Sequence, residues 1–446
     1  MNKIVGLDIG ENSVKMAYFV GRELKRTAKL ELPDAMVSGG RILPDEKRIC
    51  CELLPARGGR KAKEGDRVVA AIVRYPDGTH PAEARIVEVL GRRGTPGVDM
   101  LALVRRFGLR DAFPKAVREQ ADALPQAADG EALAGRLDLR AVTAVTIDGA
   151  HSRDFDDAVS LEPLPGGRAR LGVHIADVCA YVRPGSALDR EARLRGTSVY
   201  FADRVLPMLP EALSNGVCSL NEGEDRLTLS CLMELDAGGQ VVSYRIAESA
   251  IRSRHRLTYD EVNALLAGDA ALQARYADVL PMLRGLARLQ KALSARRHAR
   301  GSIDFDVPES EIDVDGEGRA VGLAPAQRGV SHRIIEECML LANETVAAHL
   351  RGRGLPCLYR VHEPPDADRL RDLNAFLQTL GYGFSVAAAA QPRALQRVTE
   401  RASGTPEEGV VSRLMLRAMQ RARSAITGSR LPTTATSRPP SAAIRT

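Results

Sequence analysis

Residues 141–160 read AVTAVTIDGAHSRDFDDAVS, and this stretch decides the fold prediction. Small and β-branched apolar residues alternate through its first part, a pattern typical of a strand that ends at Asp148. Three more carboxylates follow at Asp154, Asp156 and Asp157, which we expect on the loop after the strand. Acids this close repel one another unless some are protonated or a cation lies among them.

The acid cluster has two interpretations. Carboxylate oxygens are hard ligands, so a divalent ion held here would be Mg²⁺ or Mn²⁺ rather than zinc. The alternative is a solvated loop, because short Asp clusters also favour turns. A calcium loop fits less well, since the glycine and the closing glutamate of that pattern are absent. The residues alone leave the metal site and the solvated loop open.

Composition limits the protein class. The 446 residues, 44% of them apolar and 27% charged, are enough for two or three globular domains. No apolar run of about 18 residues occurs, and the first residues lack a basic segment followed by an apolar core, so we expect a cytoplasmic protein without a membrane segment. The seven cysteines form no C-x2-C pair, which favours free thiols over disulfides or zinc. A formal charge of +6 permits a polyanionic partner.

The sequence around the acids, I-D-x5-D-x-D-D-A-V, resembles the catalytic signature of the ribonuclease II and ribonuclease R family. Seven further phrases of that family follow in the family's order. They are VHIADV (173–178), RGTSVY (195–200), PMLP (207–210), CSLN (218–221), GSIDF (301–305), IEECM (335–339) and YRVHE (359–363). So many phrases in one order leave little room for chance.

This resemblance implies an α+β fold in which a small cold-shock-type OB barrel precedes an RNB catalytic domain. It implies a 3′-to-5′ exoribonuclease that hydrolyses single-stranded RNA to 5′-mononucleotides by a two-metal mechanism with Mg²⁺, or with Mn²⁺. Asp148 and Asp157 would bind metal directly, and Asp154 would serve the second ion or its waters. Asp156 would lie nearest the reacting phosphate.

The family resemblance also implies RNA contacts. Tyr200 matches the ring that holds the last base at the 3′ end, and Phe305 matches a second stacking position. Glu337 is assigned to a ribose contact, with Glu336 as the alternative in the same phrase. The implied partner is single-stranded RNA, with the ribosome or the RNA-decay machinery as further partners and no nucleotide cofactor.

The rest of the predicted catalytic domain supplies scaffold. A second strand at residues 171–176 would pair beside the strand that ends at Asp148 and bring His174 and Asp177 toward the acids. We assign both residues to the scaffold, because a histidine on an apolar strand is more often buried structure than a ligand. Apolar spacing predicts helices over residues 283–293 and 334–349. Leu283, Leu286, Leu289 and Leu293 share the apolar face of the first helix. Polar faces, which continue toward Gly301, carry Arg284, Arg288, Arg296 and Arg297, and we expect these arginines to be solvated or to line a channel.

Residues 1–47 differ from the rest in composition and motif. Five of the nine lysines lie there with three arginines, whereas the remaining 399 residues carry four lysines and 51 arginines. The phrases IVGLDIG (4–10) and SVK (13–15) resemble the opening of an actin-like ATPase of type IV pilus assembly. The later nucleotide-binding segments of that family are absent, so we predict an adventitious leader, with an ATPase fragment as the alternative.

A small OB-type barrel is predicted over residues 48–94, because β-rich runs at 67–73 and 84–91 are separated by Gly and Pro turns. Its arginines offer a basic surface, and Tyr75 offers a ring for stacking on a base. Ordinary solvated arginines are the alternative. The arginines are Arg67, Arg74, Arg85, Arg92 and Arg93. Residues 95–136 are predicted to form a helical connector that contains no candidate functional residue.

The predicted catalytic domain covers residues 137–423 and is incomplete. The family continues with a phrase FTSPIRRYPD, more helices and an S1-type domain, whereas residues 424–446 are rich in Ser, Thr, Ala, Pro and Arg without an acid, a composition typical of disorder. The last ten residues, SRPPSAAIRT, match that phrase translated one nucleotide out of frame, so we expect a frameshifted tail. An impaired enzyme and an RNA-binding remnant without catalysis are the resulting alternatives.

Overall fold

The structure is a computed structural model that describes most of the chain in two compact units. The described residues are 3–10, 13–20, 23–27, 31–45, 51–76, 79–128, 130–201, 204–303, 310–316, 320–325, 328–355, 357–361, 365–386, 392–419 and 423–426. The first unit holds Met1–Lys115, Glu191–Met208 and Ile312–Ala324, and the second holds Ala116–Arg190, Leu209–Glu311 and Pro325–Thr446.

Strands and helices are numbered here in chain order. The strands are β1 (Lys3–Gly10), β2 (Ser13–Val20), β3 (Glu23–Thr27), β4 (Glu31–Ser38), β5 (Arg41–Pro44), β6 (Leu54–Pro55), β7 (Asp66–Arg74), β8 (Glu83–Arg92), β9 (Leu137–Asp138), β10 (Ala144–Asp148), β11 (Asp157–Leu164), β12 (Arg168–Ala176), β13 (Val199–Tyr200), β14 (Val205–Leu206), β15 (Asp225–Leu235), β16 (Val241–Thr258), β17 (Ser310–Val314), β18 (Ala320–Pro325), β19 (Leu358–Val361) and β20 (Arg423–Ile426). The α-helices are α1 (Val98–Arg106), α2 (Lys115–Asp122), α3 (Gly130–Leu133), α4 (Ala187–Arg195), α5 (Tyr259–Ala267), α6 (Ala270–Arg275), α7 (Leu280–Ala299), α8 (Val330–Gly352), α9 (Ala367–Thr379), α10 (Pro392–Ala402) and α11 (Glu408–Ala418).

The first unit contains two separate sheets near the start of the chain. β1, β2 and β3 form an antiparallel sheet of their own, in which β1 and β2 make a hairpin. The next five strands form a second sheet in the order β5-β4-β7-β8-β6, which is the predicted OB-type domain. The two sheets share no strand pairing among the described residues.

The OB-type sheet begins earlier than predicted. β4 starts at Glu31, and Ala35 and Ile42 are fully buried in the core of this sheet. The predicted boundary between residues 47 and 48 is therefore wrong. Gly39 and Gly40 join β4 to β5, and both have positive φ, which matches the tight two-residue turn of a hairpin.

The second unit is built around a sheet in the order β10-β11-β12-β15-β16-β9, in which β16 also pairs with β10. The additional pairing closes five of the strands into a ring. It depends on the length of β16, which runs antiparallel to β15 through residues 241–252 and parallel to β10 through residues 253–258. Buried residues of the ring, such as Val145, Val173 and Met233, form one core with apolar residues of α5, α7 and α8.

Two predictions about the strands near the acids are wrong. β12 pairs with β11 and not with β10. Asp157 is the first residue of β11 and not part of a loop. Both differences have one physical cause. After the turn that follows Asp148, the chain continues directly as β11, which is the antiparallel neighbour of β10.

The predicted helices are confirmed, with one difference in α7. The connector contains α1 and α2, and the two longer apolar patterns become α7 and α8. Leu283, Leu286 and Leu293 of α7 are buried as expected. Arg297 was placed on the polar face of this helix, but it is buried as well.

The end of the described chain differs from the predicted disordered tail. β20 pairs antiparallel with β19, so residues 424–426 belong to a strand. Residues 427–446 and Phe305 lie outside the described residues. In the part of the chain that the structure describes, no helix combines the length and the apolar character needed to cross a membrane.

Candidate metal centre

The hairpin of β10 and β11 brings the first and last of the four acids together. Val145 pairs with Val159, so the two strands are antiparallel. Asp148 ends β10 and Asp157 begins β11, and both therefore lie at the loop end of the hairpin. Residues 149–156 connect them and carry the other two acids. We name this connection the acid loop.

The four carboxylates act on one another electrostatically. Burial, followed by the charges of Asp157, Asp154 and Asp156, raises the pKa of Asp148 to about 8, against an opposing effect of Arg256. Burial and then the charge of Asp156 raise the pKa of Asp157 to about 6. Among the described residues, the buried Oδ2 atom of Asp148 has no hydrogen-bond partner. A buried anion without a partner is unfavourable, and a divalent cation would stabilise it.

Asp148 and Asp157 fit a metal ion because of their raised pKa values and the unpartnered oxygen. Within the described ranges, no group of three or more His, Cys, Asp or Glu side chains is placed as a ready ligand set. Asp148 and Asp157 still fit a hard cation, because they offer oxygen donors with raised pKa values and one unpartnered oxygen. They are the residues of this chain that would hold such an ion.

Arg256 of β16 contacts the start of the acid loop. Its Nη2 atom donates to the carbonyl oxygens of Gly149 and Ala150, each at 2.9 Å. The guanidinium carbon lies 5.4 Å from the centre of the Phe155 ring. The sequence analysis missed Arg256, because a contact to backbone carbonyls leaves no pattern in the sequence.

A cavity of about 500 Å³ is formed between the acid loop and the segment of residues 211–221, which includes a π-helical turn at Ala212–Val217. Most of its lining side chains are polar. The lining residues are Ser152, Arg153, Phe155, Glu211, Asn215, Gly216 and Asn221. The loop that carries the acids therefore also forms part of a pocket wall.

His174 and Asp177 lie in the scaffold, as expected. His174 is fully buried, with the Oγ atoms of Ser160 and Ser230 at 3.0 Å and 2.6 Å from its ring nitrogens. Burial lowers the pKa of His174 to about 4, so the ring is neutral at pH 7. Asp177 forms a buried ion pair with Arg136 at 2.7 Å.

Glu337 of α8 forms a buried ion pair. Its Oε1 atom accepts a hydrogen bond from the Ser294 hydroxyl at 2.6 Å and lies 2.9 Å from Nη2 of Arg297. The side chains of Arg297 and Glu337 are only 9% and 5% exposed. Glu336 pairs with Arg328 instead. The ribose contact of Glu337 stays a prediction, and this carboxylate already has structural partners.

Replacing Glu337 by glutamine is expected to lower the free energy of unfolding by about 3 kcal/mol, because the buried charge of Arg297 loses the carboxylate that balances it. Chemical denaturation measures this change. The double variant Arg297→Met/Glu337→Leu is expected to regain most of the loss, since a packed apolar pair can replace a buried ion pair. A glutamine variant of unchanged stability that binds RNA more weakly would instead support the ribose contact.

Tyr200, Tyr75 and the arginines of the OB-type domain, which are also predicted to contact RNA, lie in the first unit. Tyr200 is in the hairpin of β13 and β14, and its side chain is 66% exposed. Tyr75 is 50% exposed after the end of β7. Arg67 pairs with Asp45, and Arg74 pairs with Glu83, so these two arginines have structural partners.

The fold and the acid cluster define a class of protein in which an OB-type domain precedes, in sequence, an α+β domain with carboxylates at one hairpin. The sequence model of the RNB domain matches residues 136–436, and that of the cold shock domain matches residues 42–114. The chain belongs to the RNB family.

Its relatives include ribonucleases R. The ribonuclease R of Aquifex aeolicus is 43% identical over 371 residues, which cover 83% of this chain and 53% of that protein. The Escherichia coli ribonuclease R is 38% identical over 384 residues, which cover 86% of this chain and 47% of that protein. The chain thus spans about half the length of the curated relatives it matches.

Solved structures share the fold. Mycoplasma genitalium RNase R in complex with double-stranded RNA superimposes with a TM-score of 0.82 at 26% identity, covering 91% of this chain and 73% of that one. Yeast Ssd1, a pseudonuclease, gives a TM-score of 0.69 at 18% identity, covering 91% of this chain and 51% of that one. The second likeness concerns the fold alone.

Proposed function

We propose that the chain is a 3′-to-5′ exoribonuclease that hydrolyses single-stranded RNA to 5′-mononucleotides. The observation that carries this proposal is the pair of Asp148 and Asp157 at the loop end of one hairpin, with raised pKa values and an unpartnered oxygen. The relatives named ribonuclease R support it, and ribonucleases of the RNB family depend in general on divalent metal ions. Mg²⁺ is the proposed ion, with Mn²⁺ as a substitute.

In the proposed mechanism, Asp148 and Asp157 would hold metal directly, Asp154 would serve a second ion or its waters, and Asp156 would lie nearest the reacting phosphate. When bound, two such ions supply an activated water and stabilise the charge of the leaving 3′ oxygen. The chain keeps Asp148 and Asp157 in a poorly solvated place, where their charges act strongly on a cation. Tyr200 stacks on the last base, and stacking tolerates every base, which suits digestion of any sequence.

The proposed partner is single-stranded RNA. The ribosome or RNA-decay machinery as partners, and a cytoplasmic location, remain predictions from the sequence. Neither enters the mechanism, because the chemistry needs only an RNA 3′ end and the metal ions.

Incubation of 5′-labelled single-stranded RNA with the full chain and Mg²⁺ tests the proposal. We expect the labelled strand to shorten stepwise from its 3′ end, with release of 5′-mononucleotides, and EDTA to stop the reaction. Binding without shortening would favour the RNA-binding remnant, and neither binding nor shortening would reject both hypotheses. A thermal shift with ATP would revive the ATPase alternative.

Replacing Tyr200 by alanine is expected to change the size of the shortest product, because a ring that clamps the last base sets where digestion stops. Loss of one stacked base costs about 1–3 kcal/mol, so KM for short oligonucleotides should rise about tenfold or more. Gel analysis of exhaustive digests measures the end product, and initial rates at several oligonucleotide concentrations measure KM. Tyr244→Ala, at an exposed tyrosine of the second unit, is the matched control. A Tyr200 variant with the parent's end product and KM would rule out the clamp.

A further inference from the structure

Ser219 holds the middle of the acid loop through two backbone hydrogen bonds. Its hydroxyl accepts from the N–H of Phe155 and donates to the carbonyl of Arg153, both at 3.0 Å. The serine is 1% exposed, so water does not compete for these bonds. Asp154 lies between the two contacted residues in sequence, and Asp156 follows them. The contacts therefore fix the backbone on both sides of Asp154.

The position of Ser219 is itself fixed by the chain around it. The N–H of Leu220 donates to the carbonyl of Phe155 at 2.9 Å, which adds a third bond between the two segments. Nε of Arg226 donates to the carbonyl of Ser219 at 2.7 Å, and Arg226 is buried. A buried, hydrogen-bonded anchor of this kind is rigid, so its effect on the loop is geometric rather than electrostatic.

Arg256 holds the beginning of the same loop and adds a charge. It lies opposite Thr146 in the parallel pairing of β16 with β10, and Thr258 lies opposite Asp148. Side chains two residues apart point to the same face of a strand, so Arg256 and Asp148 share a face. Its two hydrogen bonds to the carbonyls after Asp148 tie the loop to the ring of strands.

We propose that Ser219 and Arg256 are positioning residues that hold the acid loop in the conformation in which Asp154 and Asp156 reach the metal ions. This inference rests on the proposed function. Its physical basis is that like charges on neighbouring acids push the loop apart, whereas a loop fixed beforehand loses little conformational entropy when a cation binds. Neither residue touches the reacting atoms.

The variant Ser219→Ala tests the effect of loop position alone, because it removes a hydroxyl without changing the charge of the protein. In the metal-free full chain, the amide of Phe155 is expected to exchange its hydrogen at least about tenfold faster in this variant, as the acceptor of its hydrogen bond is gone. Mn²⁺ affinity, read by electron paramagnetic resonance, should fall several-fold. In RNA hydrolysis, kcat should fall while KM for RNA changes less than about twofold.

Two variants serve as references for the serine. Ser214 lies in the same segment, and in the described contacts its hydroxyl bonds only to the neighbouring Asn215. Ser214→Ala should therefore leave the amide exchange of Phe155 and the Mn²⁺ affinity unchanged. Ser219→Thr keeps the hydroxyl and should restore both. Parent-like exchange and Mn²⁺ affinity in Ser219→Ala would overturn the proposal for Ser219.

Variants of Arg256 distinguish a positioning role from a direct effect of its charge on the metal ions. Arg256→Lys keeps the positive charge but loses the shared contact to two carbonyls, so a positioning role predicts that Lys and Gln variants both weaken Mn²⁺ binding. A purely electrostatic role predicts that Arg256→Gln strengthens Mn²⁺ binding and that Arg256→Lys changes nothing, and this outcome would overturn the proposal for Arg256. Arg254→Gln, at an exposed arginine of the same strand that pairs with Asp278, is the control.

Failure of this inference and failure of the proposed function have different signatures. Amide exchange and Mn²⁺ binding are measured without RNA, so they report on the loop even in a chain that does not cleave. Should Ser219→Ala fail to fold in thermal melts, the Lys and Gln variants of Arg256 still decide the matter for the loop. Cleavage by the parent with unaltered Mn²⁺ affinity in all these variants would reject the positioning roles alone.

Discussion

Replacing Asp156 by asparagine is expected to lower kcat for RNA hydrolysis by at least about 1000-fold, since metal-assisted charge stabilisation contributes several kcal/mol and each 1.36 kcal/mol is about tenfold. The substitution keeps the shape of the side chain but removes the charge proposed to lie nearest the phosphate. RNA affinity should stay within about twofold, because binding depends on stacking and backbone contacts elsewhere. Single-turnover digestion and fluorescence anisotropy measure the two quantities.

Glu162→Gln is the matched control for this variant. Glu162 lies on the same hairpin, in β11, but pairs with Arg170 on a partly exposed surface. Its loss of charge should leave kcat within about twofold, as surface ion pairs contribute little. An Asp156→Asn protein that digests RNA at the parent's rate would remove Asp156 from the mechanism.

Deleting residues 1–47 is expected to unfold the OB-type domain, whereas deleting residues 1–30 is expected to leave its stability unchanged. The longer deletion removes β4 and β5, including the fully buried Ala35 and Ile42. Burial of one isoleucine alone accounts for about 2–5 kcal/mol, a large part of the about 5–15 kcal/mol that stabilises a typical domain. The shorter deletion removes only the separate sheet of β1 to β3.

Thermal melts and limited proteolysis check this pair of deletions. The longer deletion should lose a cooperative transition and become open to cleavage within β7 and β8, while the shorter one should match the parent in both respects. Equal melts for the two deletions would show that β4 and β5 do not belong to the core of this domain.

Local patterns in the sequence were enough to predict the strand that ends at Asp148 and the two long helices. The start of the OB-type sheet also had a signal, because Gly39-Gly40 between two apolar runs is typical of a hairpin. We did not use this signal, because the resemblance to an actin-like ATPase led us to assign residues 1–47 to a separate leader. Arg297 had a signal too, since it follows Leu286, Gln290 and Leu293 at helical spacing and so belongs to the buried stripe.

Other features had no such signal. The pairing of β16 with β10 joins strands far apart in sequence, and apolar alternation does not say which strands meet. Ser219 and Arg256 contact backbone atoms of the acid loop. Every residue type has these atoms, so the sequence does not show which side chains bind them. The roles of individual acids depend on burial, which distinguishes Asp148 from a solvated aspartate only in three dimensions.

The ring of strands closed by β16 also bears on how the second unit folds. Arg256 and Gly149, which meet in the native structure, are 107 residues apart in the chain, and contacts of such long range form slowly because a large loop must close first. The hairpin of β10 and β11 is local and can form early. The end of β16 must then dock before the acid loop is fixed. In a refolding experiment, strong Mn²⁺ binding should therefore appear in the last kinetic phase, after most of the secondary structure has formed.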